Sequence, residues 1–258
     1  MRKSGSQETP SIQSLGRGLS ILEAVADSTG PVPLKDLTTL LGIDRSSVFR
    51  LANTLKRRRF LASPIGRKDY ILGPSIWRLS RKYGENMLIS LCREQLRILS
   101  GKTGETAHLA IREGTKALFI DHCAPTNRIV TVLGQTGELM PLHSTAHGKA
   151  LLADLGAAGL KALFGTSTLP CHTERTIATV AELAKVCART RTRGFAIDDG
   201  EEVEEVRCVA APIRDEDGTI VASIGISAPT TRFPLSRYAA TGRRVSSAAR
   251  KISASLRI

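Results

Sequence analysis

Residues 34–72 limit most strongly what this chain can become: two short helical periodicities separated by a tight break, followed at once by a basic hairpin. Leu34, Leu37, Leu40 and Leu41 recur at helical spacing and stop at Gly42, a residue that adopts the left-handed conformation without steric penalty. Asp44 then offers a side-chain N-cap for a helix over residues 45–58. At about 100° per residue, Val48, Leu51, Ala52 and Leu55 gather on one side of that helix, while Ser46, Arg50, Asn53 and Arg57 fall opposite. A second helix that shows hydroxyl, guanidinium and amide groups after a Gly-containing turn is what reading the DNA major groove requires. The same polar face also suits an ordinary solvated helix.

The neighbouring residues favour the first reading. Leu15, Leu19, Leu22, Val25 and Ala26 predict a preceding helix over 15–26, ended by Ser28, Thr29, Gly30 and Pro31. Residues 1–12 are polar and are expected to form a flexible tail. Behind the third helix, Lys56, Arg57, Arg58 and Arg59 form a basic run, and two apolar triplets, 60–62 and 70–72, flank a loop holding Pro64, Gly66, Arg67 and Lys68. A strand, basic loop and strand in that place form a wing whose cations lie along phosphates. The expected DNA contacts are Arg45, Ser46, Ser47, Phe49, Arg50, Asn53 and Arg57 on the helix, with Arg67 and Lys68 on the wing.

The net charge of +13 is concentrated at this end. Residues 1–82 hold 15 Lys and Arg against 6 Asp and Glu, and the remainder holds 22 against 18. A basic N-terminal module suits a polyphosphate partner. No 18-residue apolar run or secretory leader is present, so a cytoplasmic protein without membrane contact is expected. Five scattered cysteines without a CxxC pair indicate reduced thiols rather than a disulfide framework or zinc ribbon.

In the second half, alternation and turn residues predict strands near 106–111, 117–121, 128–133, 206–213 and 220–227, with Glu113-Gly114 and Asp217-Gly218 as turns. Helices are expected near 86–103, 147–155, 180–192 and 236–255, giving a sheet with helical cover.

The segment from Ser14 through Ser80 closely resembles the DNA-binding region of IclR-type transcriptional regulators. The family's pattern continues, in order, in GETAHLAIREGTKALFIDH, GELMPLHSTAHGKALLAD, RTRGFAIDDGE and RCVAAPIRDEDGTIVASIGISAPTTRF. The resemblance implies an α+β chain: a winged helix-turn-helix over 13–74, a linker helix over 75–84, and a GAF-like mixed α/β domain over 85–258 that binds an effector and oligomerises. It further implies a repressor or activator, dimeric or tetrameric, that binds double-stranded operator DNA under control of a small molecule and uses no cofactor.

By the same resemblance, the effector site falls on Ala146, His147, Asp198, Val206, Cys208 and Ser227, with Ile129, Val132 and Met140 as apolar wall. Gly225 stands where a second serine is expected, which implies an effector different from the simple keto acids bound by some members. A carboxylic acid is expected for two reasons. Thr145 and Ala146 precede a helix whose first N–H groups can hold an anion. His147, beside Asp198 or a bound acid, can carry positive charge, whereas dominant burial would keep it neutral and bonded to a hydroxyl. Thr145 can equally be a plain N-cap and Asp198 a turn residue.

An enzyme is the alternative, with His143, His147, Asp198 and Cys208 converging as a metal site or a Cys-His nucleophile. The i, i+4 histidines lack the glutamate of a metalloprotease, since the sequence reads HSTAH. The acidic run Glu201, Glu202, Glu204 and Glu205 is expected as a solvated loop, or as a charge that repels DNA.

Overall fold

A computed structural model describes residues 12–84, 87–126 and 134–256. The chain divides into two compact units, 1–85 and 86–258.

The first unit contains α1 (Gln13–Ala26), α2 (Leu34–Leu41), α3 (Arg45–Arg57), β1 (Leu61–Ala62), β2 (Ile71–Leu72) and α4 (Pro74–Gly84). Its core takes one face of each helix: Ile21 and Val25, then Leu37, then Val48 and Ala52, closed by Val32, Leu61 and Tyr70. Burying a Val or Leu side chain contributes about 1.5–3 kcal/mol, so these contacts fix α3 against α1 and α2. Val32 and Tyr70 exchange both backbone hydrogen bonds, at 2.9 and 2.8 Å, and tie the hairpin to the loop before α2.

Gly42 ends α2 with φ of 61°, as its position in the sequence predicts. Asp44 caps α3 by accepting from Ser47 N at 2.8 Å. The end of α3 is less conventional. Phe60 N donates to Leu55 O and Arg59 N to Lys56 O, both at 2.9 Å, and Arg59 takes the left-handed conformation usually given to glycine.

The second unit is built on a six-stranded antiparallel sheet ordered β5-β4-β3-β8-β7-β6. The strands are β3 (Thr106–Glu113), β4 (Lys116–Cys123), β5 (Leu139–Pro141), β6 (Ala196–Asp199), β7 (Val206–Arg214) and β8 (Ile220–Pro229). Helices α5 (Met87–Thr103) and α9 (Tyr238–Ser255) cover one face, and α6 (Ala146–Leu151), α7 (Ala157–Phe164) and α8 (Val180–Arg193) belong to the other.

The two faces differ in side-chain size. Strand alternation sends Leu109, Val209, Ile213, Ile224 and Ile226 toward α5 and α9, forming the larger core. The opposite positions include Cys208, Ala210 and Ser227, and their small side chains leave space between the sheet and α6. The pairings Asp198↔Cys208 and Cys208↔Ser227 set three chemically distinct groups side by side across β6, β7 and β8.

The sequence reading omitted β5, β6 and α7, all of eight residues or fewer. Helix α6 ends at Leu151, short of the expected 155, and α9 begins at Tyr238 after a 3-10 turn over Leu235–Arg237. The strand expected over 128–133, with Ile129 and Val132, and all of the expected tail over 1–12 except Ile12 lie outside the described residues.

Candidate nucleic-acid interface and ligand cavity

Arg45, Ser46, Phe49 and Asn53 project from α3 toward Arg67 and Lys68 of the wing, and together they line an open groove of about 800 Å³. Lys35 and Lys56 add positive charge to its sides. Lys56 Nζ donates to Ser63 Oγ at 2.8 Å, which ties the helix to the first wing strand. The wing tip is a turn closed by Arg67 N to Pro64 O at 3.1 Å, and Gly66 at φ of 75° permits it. That turn leaves Ile65 wholly exposed, a residue passed over in the sequence reading.

Three expected contacts lie off this groove. Ser47 is half-buried and gives its N–H to the Asp44 cap. Arg50 is exposed on α3 but does not line the space shared with the wing. Arg57 joins Arg58, Arg59 and Arg78 around a second basic depression of about 370 Å³. Hydrogen bonds from Ser46 and Ser47 hold the Asp44 carboxyl far below its usual range, so the cap stays ionised.

In the second unit, a cavity of about 180 Å³ lies between the sheet and α6. All seven described residues expected in the effector site line it: Met140, Ala146, His147, Asp198, Val206, Cys208 and Ser227. The sequence reading missed His108 and Phe119 from β3 and β4, Gly134 and Glu138 before β5, and Glu202 and Val203 after β6. The alternation of Thr106, His108 and Ala110 in TAHLAI was the available signal for His108, whose pleat position faces the same side as Cys208. Thr145 also lines the cavity while capping α6, accepting from Gly148 N at 3.1 Å and donating to Pro141 O at 2.7 Å.

Burial controls the chemistry of this cavity. His147 is 1% exposed, and desolvation pushes its pKa down to about 3, with His108 adding a smaller effect in the same direction. The ring is therefore neutral, which is the outcome expected where burial dominates over a nearby carboxylate. Its Nδ1 lies 2.9 Å from Ser223 Oγ, and Nε2 has no protein partner. His108 is likewise pushed down to about 3 by burial, and its Nδ1 is unpartnered. The His108, Phe119 and His147 rings pack together, with Phe119 centred 5.0 Å from His108 and 5.2 Å from His147.

Asp198 accepts from Glu201 N at 2.8 Å, and desolvation raises its pKa to about 7 despite the attraction of Lys149. Cys208 donates to Ser227 Oγ at 3.2 Å, and burial pushes its thiol well up, so it is not a thiolate. At Gly225 a side chain has no room, because a Cβ there would sit 2.5 Å from Val209 O.

The acidic run is not a solvated loop throughout. Glu201 pairs with the fully buried Lys149, and Glu202 accepts from Ser144 Oγ. Thr173 Oγ1 donates to Gly200 O at 2.7 Å, anchoring the same turn. The Glu202 carboxylate lines one end of the cavity. Glu204 and Glu205 are exposed, as expected.

Of the four residues of the enzyme alternative, His147, Asp198 and Cys208 share the cavity and the fourth does not. His143 lies outside the cavity, with Nε2 2.8 Å from Pro170 O. Among the described residues, no group of three or more His, Cys, Asp or Glu is placed to hold a metal ion. No described helix is long and apolar enough to cross a membrane.

Comparison with known proteins accounts for both units. Residues 14–63 match the IclR helix-turn-helix domain, and residues 82–254 match the bacterial transcriptional regulator IclR C-terminal domain. The chain is 33% identical over 250 residues to the HTH-type transcriptional regulator BhcR of Paracoccus denitrificans, covering 96% of this chain and 89% of BhcR. It is 30% identical over 247 residues to the transcriptional repressor IclR of Escherichia coli, covering 95% and 90% of the two chains. An IclR homologue from Microbacterium hydrocarbonoxydans, solved in complex with 4-hydroxybenzoate, shares the fold with a TM-score of 0.81 at 20% identity over 95% of this chain and 99% of that one. With a winged helix-turn-helix ahead of a cavity-bearing mixed α/β unit and both family domains matched along its length, this chain belongs to the IclR family of DNA-binding transcriptional regulators.

Proposed function

We infer that the α3–wing groove binds operator DNA and that a small molecule in the 180 Å³ cavity sets operator affinity. One observation carries this reading: the polar and cationic side chains of α3 face the cations of the wing across a single groove, while the cavity belongs to a different compact unit. Arg45, Ser46, Phe49 and Asn53 would approach base edges, Arg67 and Lys68 would follow phosphates, and Ser47, Arg50 and Arg57 would contact the flanking backbone. The boundaries that suit these roles are a tail over 1–12, a DNA-binding domain over 13–74, a linker helix over 75–84 and a sensor domain over 85–258.

The chain acts in the cytoplasm as a homodimer or homotetramer. Paired recognition helices match a palindromic operator with half-sites about one helical turn apart, or a multiple of it. The second unit is a sensor and not a hydrolase: the Cys208 thiol is protonated and hydrogen-bonded to serine, and His143 lies elsewhere.

The test is anisotropy on a labelled duplex selected from a random library by the full chain, repeated with Ser227→Leu, which fills the cavity. Compounds that change wild-type affinity should lose their effect in the variant. A compound that acts equally on both locates the effector site elsewhere.

A further inference from the structure

Taking the cavity as the effector site, its lining indicates which chemistry the effector carries. Among the described lining residues there is no Lys or Arg, whereas Glu138, Asp198 and Glu202 all bring carboxyl groups. A ligand carboxylate would meet these carboxyl groups with no cationic partner among the described lining residues. The nearest buried cation, Lys149, is committed to Glu201. The short helix α6 has six residues, and Thr145 Oγ1 already takes the Gly148 N–H. Of the two anchors expected for an acid, His147 is uncharged and the α6 N-terminus has its Gly148 N–H already taken.

The proton position on His147 gives a positive criterion. Ser223 Oγ lies 2.9 Å from His147 Nδ1 and 3.5 Å from a backbone acceptor, Ala110 O; a hydroxyl turned to that carbonyl accepts from Nδ1–H. Nε2 is then a bare lone pair, buried and without a protein partner. A hydrogen-bond donor satisfies it, and a carboxylate, which only accepts, does not.

Shape completes the description. Phe119 and His108 flank His147, with His108 and His147 meeting edge to face at 6.1 Å, and Met140 and Val206 add apolar wall. Gly134 roofs the rings: a Cβ there would lie 3.1 Å from Phe119 Cε2 and 3.2 Å from His108 Cε1. The cavity of about 180 Å³ is of the size that takes one six-membered ring, given that a cavity of roughly 150 Å³ accommodates benzene.

We propose that the effector is an uncharged single-ring compound bearing a hydroxyl, phenolic in chemical class, whose O–H donates to His147 Nε2 while its ring packs against Phe119 and His108. Recognition by this route reads the presence of a donor and rejects both its methyl ether and the corresponding carboxylate.

The experiment is imidazole nitrogen NMR on the full chain, labelled at histidine, at pH 7.5, with His147→Phe assigning the His147 signals. In the free chain His147 should be neutral with its proton on Nδ1. Titration with phenol should move the Nε2 resonance saturably, and anisole and benzoate should bind at least tenfold more weakly. An Nε2–H tautomer or a charged ring in the free chain overturns the proposal, as does anisole or benzoate binding as tightly as phenol. If benzoate wins while moving the same His147 and His108 signals, the cavity remains the effector site and the phenolic class fails. If none of the three moves either histidine, the cavity assignment fails as well.

Discussion

Lys149, a side chain with no exposed surface, forms its ion pair with Glu201 on the turn that closes one end of the ligand cavity. Removing one partner of a buried pair leaves the other desolvated and uncompensated, at a cost of about 3–5 kcal/mol. Lys149→Met should lower stability by that order in urea unfolding. The double variant Lys149→Met, Glu201→Leu should recover most of it, because no buried charge is then left alone. A single variant as stable as wild type would show that the pair is not holding the turn.

The cavity histidines and Asp198 predict opposing pH effects on stability. His108 and His147 have folded pKa values pushed down from 6.5 to about 3, so the unfolded chain binds more protons below 6.5 and stability falls as the solution is acidified. Each can contribute a slope of about 1.4 kcal/mol per pH unit in that window. Asp198 is raised from 3.8 to about 7, so its folded form holds a proton more tightly, and this partly offsets the loss between about pH 7 and 4. His147→Phe should therefore flatten the melting temperature between pH 6.5 and 4, and Asp198→Asn should steepen it. Identical profiles for wild type and both variants would contradict the assigned charge states.

Arg59 predicts a stabilising change. A non-glycine residue in the left-handed region is disfavoured by about 1–2 kcal/mol, and the end of α3 places Arg59 there at φ of 62°. Arg59→Gly should raise stability by about 1 kcal/mol, read as a higher melting temperature. It also removes a cation from the Arg57, Arg58 and Arg78 rim, so the salt dependence of DNA binding should flatten by about one unit if that rim lies on phosphate. Gly73 offers no such freedom, since a Cβ there would lie 2.3 Å from Arg59 O.

The proposed operator contact separates readers from anchors in the groove by what their loss should do. Asn53→Ala and Arg45→Ala should each cost about 1–3 kcal/mol on a selected operator and relax base preference. Arg67→Ala should weaken all duplexes alike. Arg50→Ala, off the shared groove, should resemble Arg67→Ala if Arg50 holds backbone, and should relax base preference if it reaches an edge. A selected operator bound equally well by wild type and Asn53→Ala would move the reading face elsewhere on α3.

These residues also show what was legible from sequence. Local chemistry fixed the first unit: Gly42 and Asp44 mark the turn, and the Val48, Leu51, Ala52 and Leu55 periodicity orients α3. The expected cavity residues within the described chain came from family pattern, and the fold brings them onto one lining. Phe119 and Glu202 escaped because their placement depends on strand pairing and on a loop pinned by Ser144, which leave no local signal, whereas His108 showed only its alternation until β3 paired with β8. The charge of His147 stayed open between two states for a related reason. Proximity to carboxylates is visible in a motif, whereas the completeness of burial appears only once α6 packs on β8.

The most direct test of the account is a salt series of anisotropy titrations with the full chain, comparing a duplex it has selected from random sequence with a scrambled duplex of the same composition. A sequence-specific regulator should bind the selected duplex about a thousandfold or more tightly, and both affinities should fall steeply with salt. Equal affinity for the two duplexes at every salt concentration would contradict the assignment of the α3–wing groove as an operator-reading surface.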